Sequence, residues 1–198
     1  EVLVRRRNAI NYENMSIALA ESVANQGQGF ISSMAFGNGG TSVDPTGIIT
    51  YLTPNSTGTN ASLYNQTFTK IVDDRSVSNL DPQRNKIETR HVNGTNYTDV
   101  VVTCLLDYGE PNGQDATDTA SASDSLYVFD ELGLVSYASS GTGKLLTHVI
   151  FHPVQKSLNR LIQIDYTLRI QSLTTFTETS STALSTSNTV SGTTSGAN

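Results

Sequence analysis

The chain has 198 residues, a formal net charge of −6, a sequence pI near 4.9 and 36% hydrophobic residues. This acidic balance argues against a nucleic-acid binder, which needs basic clusters to neutralise phosphates, and no apolar run approaches the ~18 residues that cross a membrane. Ser and Thr together account for 49 residues, a composition typical of β-rich surfaces and extended segments. We therefore expect a mainly β protein with no nucleic-acid or membrane partner.

The N-terminal region is predicted to be an arm followed by a helix. Residues 1–10 read as an arm or short strand that carries the one basic cluster, three consecutive arginines, interpreted as solvated or partner-facing. Residues 11–26 are the predicted helix, with Asn11 as its N-cap, or Asn14 or Ser16 for a later start, and two glycines, Gly27 and Gly29, ending it. Its apolar face is predicted to hold Ile17, Ala20, Val23 and Ala24. Because the chain begins at Glu1 and not at Met, a processed chain or a fragment is expected.

Strand signals begin at residue 30. The segments 86–92 and 97–106 are predicted to pair, because Asn93-Gly94 between them is a strong hairpin signal. The second segment is nearly continuously apolar, as in a central strand, and contains Cys104, interpreted as a buried and inert thiol. Other strands before residue 107 are predicted at 30–36, 47–53 and 63–72, with a glycine turn at 37–40 after the first.

The C-terminal half gives the clearest β pattern. Strands are predicted at 125–132 continuing through Gly133 to 137, at 144–154 with an end near Pro153, and at 160–170. The last of these alternates, which predicts a half-buried antiparallel strand. Its core side is expected to consist of Ile162, Ile164, Tyr166, Leu168 and Ile170. The fold class predicted is a mainly β, antiparallel β-sandwich-like domain over residues 11–170, with one N-terminal helix and extended terminal arms.

Residues 171–198 form a Ser/Thr-rich C-terminal arm that is nearly uncharged. Such a segment cannot bury enough apolar surface to build its own core. We therefore expect a neighbouring subunit to hold it, for example by addition of the arm to a sheet edge.

A search for catalytic patterns yields no expected catalytic residue, metal ligand or cofactor. His148 and His152 have the spacing of a zinc helix motif but lack its Glu, and four residues along a strand separate the rings by roughly 13 Å on one face. The segment 139–145 departs from the phosphate-loop pattern. The acidic loop 107–124 is interpreted as solvated, because it lacks the EF-hand pattern of a Ca²⁺ site. Its carboxylates are nevertheless oxygen ligands of the type that Ca²⁺ takes, so Ca²⁺ binding is left open.

Three segments, taken in order, carry a family resemblance. They are the glycine-rich FGNGG at 36–40, FDELGLVS at 129–136, and GKLLTHVIFHPVQK with its following alternating strand at 143–170. This order resembles the N-terminal domains of tailed-phage tail-collar and tail-fibre proteins, which carry a GDGG-like turn and later an E-(I/V/L)-G-L segment. Asn38 stands where the family's turn has an acidic residue, and residues 131–134 match the second motif.

The resemblance implies a non-enzymatic virion component that docks in or decorates the tail, neck or baseplate, assembled in the host cytoplasm. The expected partners are copies of the chain itself, as a homo-oligomer, and other virion proteins. A capsid decoration protein and a receptor- or carbohydrate-binding module are the alternatives. The residues expected at interfaces are Arg5, Arg6, Arg7, Gly37, Asn38, Gly39, Gly40, Leu173, Phe176, Leu184 and Val190.

Overall fold

A computed structural model describes residues 2–111, 126–141 and 143–172. Within these residues the protein is mainly β, with one helix, and every strand pairing is antiparallel. The predicted fold class is confirmed. The elements are β1 (Ala9–Ile10), α1 (Tyr12–Val23), β2 (Ile31–Gly37), β3 (Thr41–Val43), β4 (Ile49–Tyr51), β5 (Gln66–Ile71), β6 (Lys86–His91), β7 (Tyr97–Leu106), β8 (Leu126–Ser136), β9 (Thr147–Ser157) and β10 (Ile162–Gln171).

Two sheets enclose the core. The larger has five strands in the order β1-β9-β8-β2-β5, and the smaller has three in the order β10-β7-β6, while β3 and β4 form a separate hairpin. One cluster of buried apolar side chains contains residues of both sheets, so the sheets pack face to face as a sandwich. Its most buried large members include Met34, Phe36, Leu134, Val102 and Leu106.

The helix begins where predicted but buries a different face. Asn11 is its N-cap and accepts a hydrogen bond from the backbone N–H of Asn14. The predicted apolar face is wrong, because Val23 is 87% exposed and the buried helical residues are Asn14 and Ala18. Asn14 is buried because its side-chain amide donates to the carbonyl oxygen of Leu145. The helix therefore approaches the sheet through small and hydrogen-bonded residues instead of large apolar ones.

The predicted strands agree with the structure except at two points. The hairpin of β6 and β7 and the central position of β7 are confirmed, as is the burial of Cys104, whose thiol has a pKa raised to about 12 by burial. However, β9 does not end near Pro153. The strand passes through this residue where the β8–β9 register shifts, and an irregular pairing tolerates the missing N–H of proline.

The second difference lies at the end of β10. Tyr166 and Leu168 are buried and Ile162 and Ile164 are partly buried, as expected, but Ile170 is 43% exposed. The neighbouring ends of β6 and β10 are exposed as well. This end of the three-stranded sheet therefore projects beyond the sandwich, and an alternating pattern does not reveal where a facing sheet stops.

Candidate functional site

Two adjacent carboxylates, Asp130 and Glu131, lie on β8 and face the glycine-rich turn 37–40. Their relative exposures are 2% and 0%. The β8–β9 register shifts between Phe129 and Glu131, and such an irregularity redirects side chains that would otherwise alternate between faces. A buried carboxylate needs hydrogen-bond donors, and these come from the turn and from the segments beside it.

Glu131 is satisfied by four hydrogen bonds. Its Oε1 accepts from the backbone N–H groups of Gly39 and Asn65, at 3.1 and 2.8 Å. Its Oε2 accepts from the N–H of Tyr64 at 2.9 Å and lies 2.9 Å from Nε2 of His148. Burial acts to raise the pKa of the Glu131 carboxyl, but the hydrogen bond with His148 and those from the backbone outweigh it and hold the pKa below its ordinary value.

His148 is fully buried in a fixed tautomer. Its Nδ1 accepts a hydrogen bond from the backbone N–H of Asn55 at 2.9 Å. Because Nδ1 is an acceptor, the ring proton lies on Nε2, which donates to Glu131. The ring of Tyr64 packs against the imidazole, with the centroids 5.6 Å apart. His148 thus connects β9 to the loop before β5.

Asp130 holds the end of the turn and the residue after it. Its Oδ1 accepts from the backbone N–H of Gly40 at 2.9 Å, and its Oδ2 accepts from the N–H of Thr41 at 2.9 Å and from the Thr41 hydroxyl. Together the two carboxylates fix the second half of the turn to β8. We call Asp130, Glu131 and the turn 37–40 the carboxylate-bound turn.

Space, not backbone torsion, requires glycine in the carboxylate-bound turn. A Cβ on Gly37 would lie 2.4 Å from the carbonyl oxygen of Asn65 and 2.5 Å from Oε1 of Glu131. A Cβ on Gly39 would lie 2.7 Å from the backbone nitrogen of Asn65. Neither residue has a positive φ. The glycines therefore allow the backbone to approach Glu131 closely enough to donate to it.

This arrangement is suited to holding structure. Asp130 and Glu131 contact neighbouring backbone and side-chain groups, and both residues and His148 are buried. His152 does not share the environment of His148, because it is exposed and faces the Tyr51 hydroxyl. Among the described residues, no group of three or more acidic, His or Cys side chains is arranged to hold a metal ion.

The described start of the acidic loop is tied to the sheets by cations. Asp107 pairs with Arg84 at 3.0 Å, and Glu110 pairs with Lys70. The fully buried Lys156 donates to the carbonyl oxygens of Asp107 and Ser157, both at 3.0 Å. Burial lowers the pKa of the Lys156 ammonium, against the opposing effect of the nearby carboxylates. The rest of the loop, 112–124, lies outside the described residues, so Ca²⁺ binding there stays open.

The residues expected at interfaces lie in three places. Arg5, Arg6 and Arg7 are exposed, and Arg6 lies over the ring of Tyr51 at 5.8 Å. In the turn, Gly37 and Gly40 are buried and Asn38 and Gly39 are half-buried. The two middle residues therefore form the part of the turn that faces solvent. The four apolar residues expected in the C-terminal arm, Leu173, Phe176, Leu184 and Val190, lie outside the described residues.

Sequence reasoning missed the carboxylate-bound turn. The available signal was a pair of acidic residues inside the apolar segment YVFDELGL, because charges in a buried strand require partners.

Within the described part of the chain, no helix is long and apolar enough to cross a membrane. No family model matches the chain, and a search of curated proteins finds no match.

Proposed function

We propose that the chain is a non-enzymatic structural component of a tailed-phage virion, docking in or decorating the tail, neck or baseplate through its β domain and terminal arms. One observation carries the proposal. The two short motifs of the family resemblance, FGNGG and ELGL, lie about 90 residues apart in sequence but meet in the carboxylate-bound turn. Motifs that form one physical unit are a stronger basis for resemblance than two independent short matches.

The carboxylate-bound turn suits an assembly role because it makes a rigid part of the surface. Five backbone N–H groups, those of Gly39, Gly40, Thr41, Tyr64 and Asn65, donate to the two buried carboxylates. Fully satisfied buried networks rigidify the segments they join. A rigid surface loses little conformational freedom on association, which favours repeated, specific docking.

The N-terminal segment supports the same role through its charge. Arg5, Arg6 and Arg7 are exposed on a chain of net charge −6. A local basic segment on an acidic protein fits an acidic protein surface, such as that of another copy or of a neighbouring virion protein. The C-terminal arm supplies a second segment, of low charge.

The test is the solution mass of the full chain and of a chain ending at Gln171, measured by light scattering. We expect the full chain to form a defined oligomer and the shortened chain to be a folded monomer. A matched control keeps the composition and length of residues 172–198 but scrambles their order, and it is expected to be a monomer too. If the full and shortened chains are identical monomers, self-assembly through the arm is wrong, and a ligand-binding module becomes the better proposal.

A further inference from the structure

A groove opens between the two sheets on the side of β9 and β10. It has a volume of about 440 Å³, within the range of sites that bind ligands or segments. Phe129, Val149 and Phe151 line one wall, and Leu106, Ile162 and Ile164 line the other. Among the described residues no strand closes the sandwich on this side. Residues 2–8 line the opening, the deeper wall residues are buried, and Leu161 at the rim is 43% exposed.

The edge of β10 borders this groove. Among the described residues β10 pairs with β7 alone, so its other edge carries backbone groups without a strand partner. Residues 2–8 pass along the groove, but in the described structure they make no backbone hydrogen bond with β10. Val2 is 82% and Leu3 43% exposed. An open edge beside an apolar groove is the arrangement that accepts an added strand.

A buried polar atom in the groove is poorly satisfied. The hydroxyl of Tyr166, on the groove wall, is buried, and neither of its polar neighbours, Asn8 and Thr147, forms a hydrogen bond of good geometry with it. An unsatisfied buried hydroxyl is unfavourable. An occupant that brings backbone or hydroxyl groups into the groove would satisfy it, whereas a purely apolar occupant would not.

The chain itself supplies a segment of this chemistry after Ser172. Residues 173–198 number 26, with scattered apolar side chains among Ser and Thr, and they reach roughly 90 Å when extended. Only one of them, Glu178, is charged, so little charge is desolvated on burial. This composition matches an apolar groove with an unsatisfied hydroxyl and an open strand edge.

The exit of the chain favours a groove on another molecule. Ser172 is held at the projecting end of the three-stranded sheet, where its N–H donates to the Asn96 carbonyl and its own carbonyl accepts from the Asn96 amide, both at 2.9 Å. The groove lies at the opposite end of β10, beside residues 161–167. Residues 173–177 (LTTFT) contain no Gly, Pro, Asn or Asp that would form a tight turn back along β10.

We infer that residues 173–198 of one copy bind in the groove of a second copy and add to the free edge of β10. The inference rests on the proposed function, since it names the partner and the site for the C-terminal arm. Two copies that exchange arms reciprocally form a two-fold dimer, whereas one-way binding of each arm to the next groove forms a closed ring or an open chain.

Cysteine cross-linking in the full chain tests this inference. One population carries Ile164→Cys in the groove and another carries Phe176→Cys in the arm, and they are mixed under mild oxidation. The native Cys104 is buried and serves as an unreactive internal reference. We expect a disulfide-linked dimer of one copy of each variant. The matched control replaces Ile164→Cys with Thr89→Cys on β6, the other edge of the same sheet, and should give no dimer.

A second cysteine position beside the groove keeps the test valid if Ile164→Cys disturbs folding. Leu161→Cys, at a side chain that is 43% exposed beside the groove, is expected to give the same dimer with Phe176→Cys. If neither groove variant cross-links while the full chain still oligomerises through its arm, the groove is the wrong site and the proposed function stands. If a chain carrying both cysteines forms only an internal disulfide, the arm binds its own groove and the inference is wrong. If the full chain forms no oligomer that depends on its arm, both this inference and the proposed function are wrong.

Discussion

Two carboxylates, one in each sheet, make their polar contacts in opposite surroundings. Glu131 in the five-stranded sheet is 0% exposed and is bound by backbone N–H groups and by His148. Asp99 in the projecting part of the three-stranded sheet is bound by the Arg169 guanidinium at 2.7 and 2.9 Å, with the Arg169 side chain 52% exposed.

The difference is what remains when a partner is removed. Water can replace the partner of Asp99 at the projecting sheet, because both side chains reach solvent. Glu131 is fully buried and its backbone donors are part-buried, so water can replace the carboxylate only if the surrounding turn and loop open. The buried network thus contributes strongly to the stability of the fold, whereas the ion pair at the surface contributes little.

The largest effect is expected from Glu131→Gln. Two donors then face an amide nitrogen, either the backbone N–H groups of Gly39 and Asn65 or the N–H of Tyr64 and Nε2–H of His148. Each lost acceptor costs about 1–3 kcal/mol, for a total of about 2–6 kcal/mol. Urea unfolding at neutral pH measures the loss. Glu88→Gln, which removes an exposed carboxylate from β6, is the matched control and should leave the midpoint unchanged. Equal midpoints for the two variants would contradict the comparison.

The next effect is expected from Gly37→Ala. The added Cβ would lie 2.4 Å from a backbone oxygen, so the turn must move away from Glu131, at a cost of about 1–3 kcal/mol. Gly27→Asn is the control, because Gly27 has a φ of 67° that Asn tolerates and no atom lies within 4 Å of its Cβ position. A control variant as unstable as Gly37→Ala would show that the close approach is not the cause.

A smaller effect is expected from acid. The folded-state pKa of Glu131 is lower than its ordinary value of 4.5, so its stabilising contribution is fully present above pH 4.5 and is lost as pH falls through the folded pKa. The free energy of unfolding of the native chain should fall in this window by up to about 1.4 kcal/mol per pH unit from this group. Urea midpoints at several pH values should show a shallower fall for Glu131→Gln. If the urea midpoints of the native chain and of Glu131→Gln fall in parallel with pH, the pKa of Glu131 is the same in the folded and unfolded states.

The smallest effect is expected from Asp99→Asn. The hydrogen bonds with Arg169 hold the pKa of Asp99 low, but exposed ion pairs are screened by solvent and salt. The urea midpoint should stay within the scatter of repeated measurements, and the difference from Glu131→Gln should persist at high salt. A midpoint shift comparable to that of Glu131→Gln would remove the distinction between the two regions.

Most of the fold could be predicted from local patterns. The alternation of residues 160–170 and the Asn93-Gly94 turn gave the β10 strand and the β6–β7 hairpin, because strand period and turn chemistry are local properties. The helix face could not be predicted in this way. Asn14 is polar by residue type, but its side chain is buried through a hydrogen bond to a residue 131 positions away.

The carboxylate-bound turn depends even more on distant residues. The turn itself could be predicted from its glycines, but the reason for glycine at positions 37 and 39 is the proximity of Glu131 and Asn65. No periodic pattern joins segments that are 66 and 92 residues apart. Only the presence of acidic residues in an apolar strand indicated that donors had to come from elsewhere in the chain.

The attachment of Ser172 also has a mechanical consequence. A tension applied to the chain beyond this residue and in line with β10 acts on a strand that is paired with β7 over ten consecutive residues from Ile162 to Gln171. A force parallel to the strands loads the hydrogen bonds of the ladder together, in shear, whereas a perpendicular force would open them one after another. The domain therefore resists pulling at its C-terminal end most strongly when the pull is in line with β10.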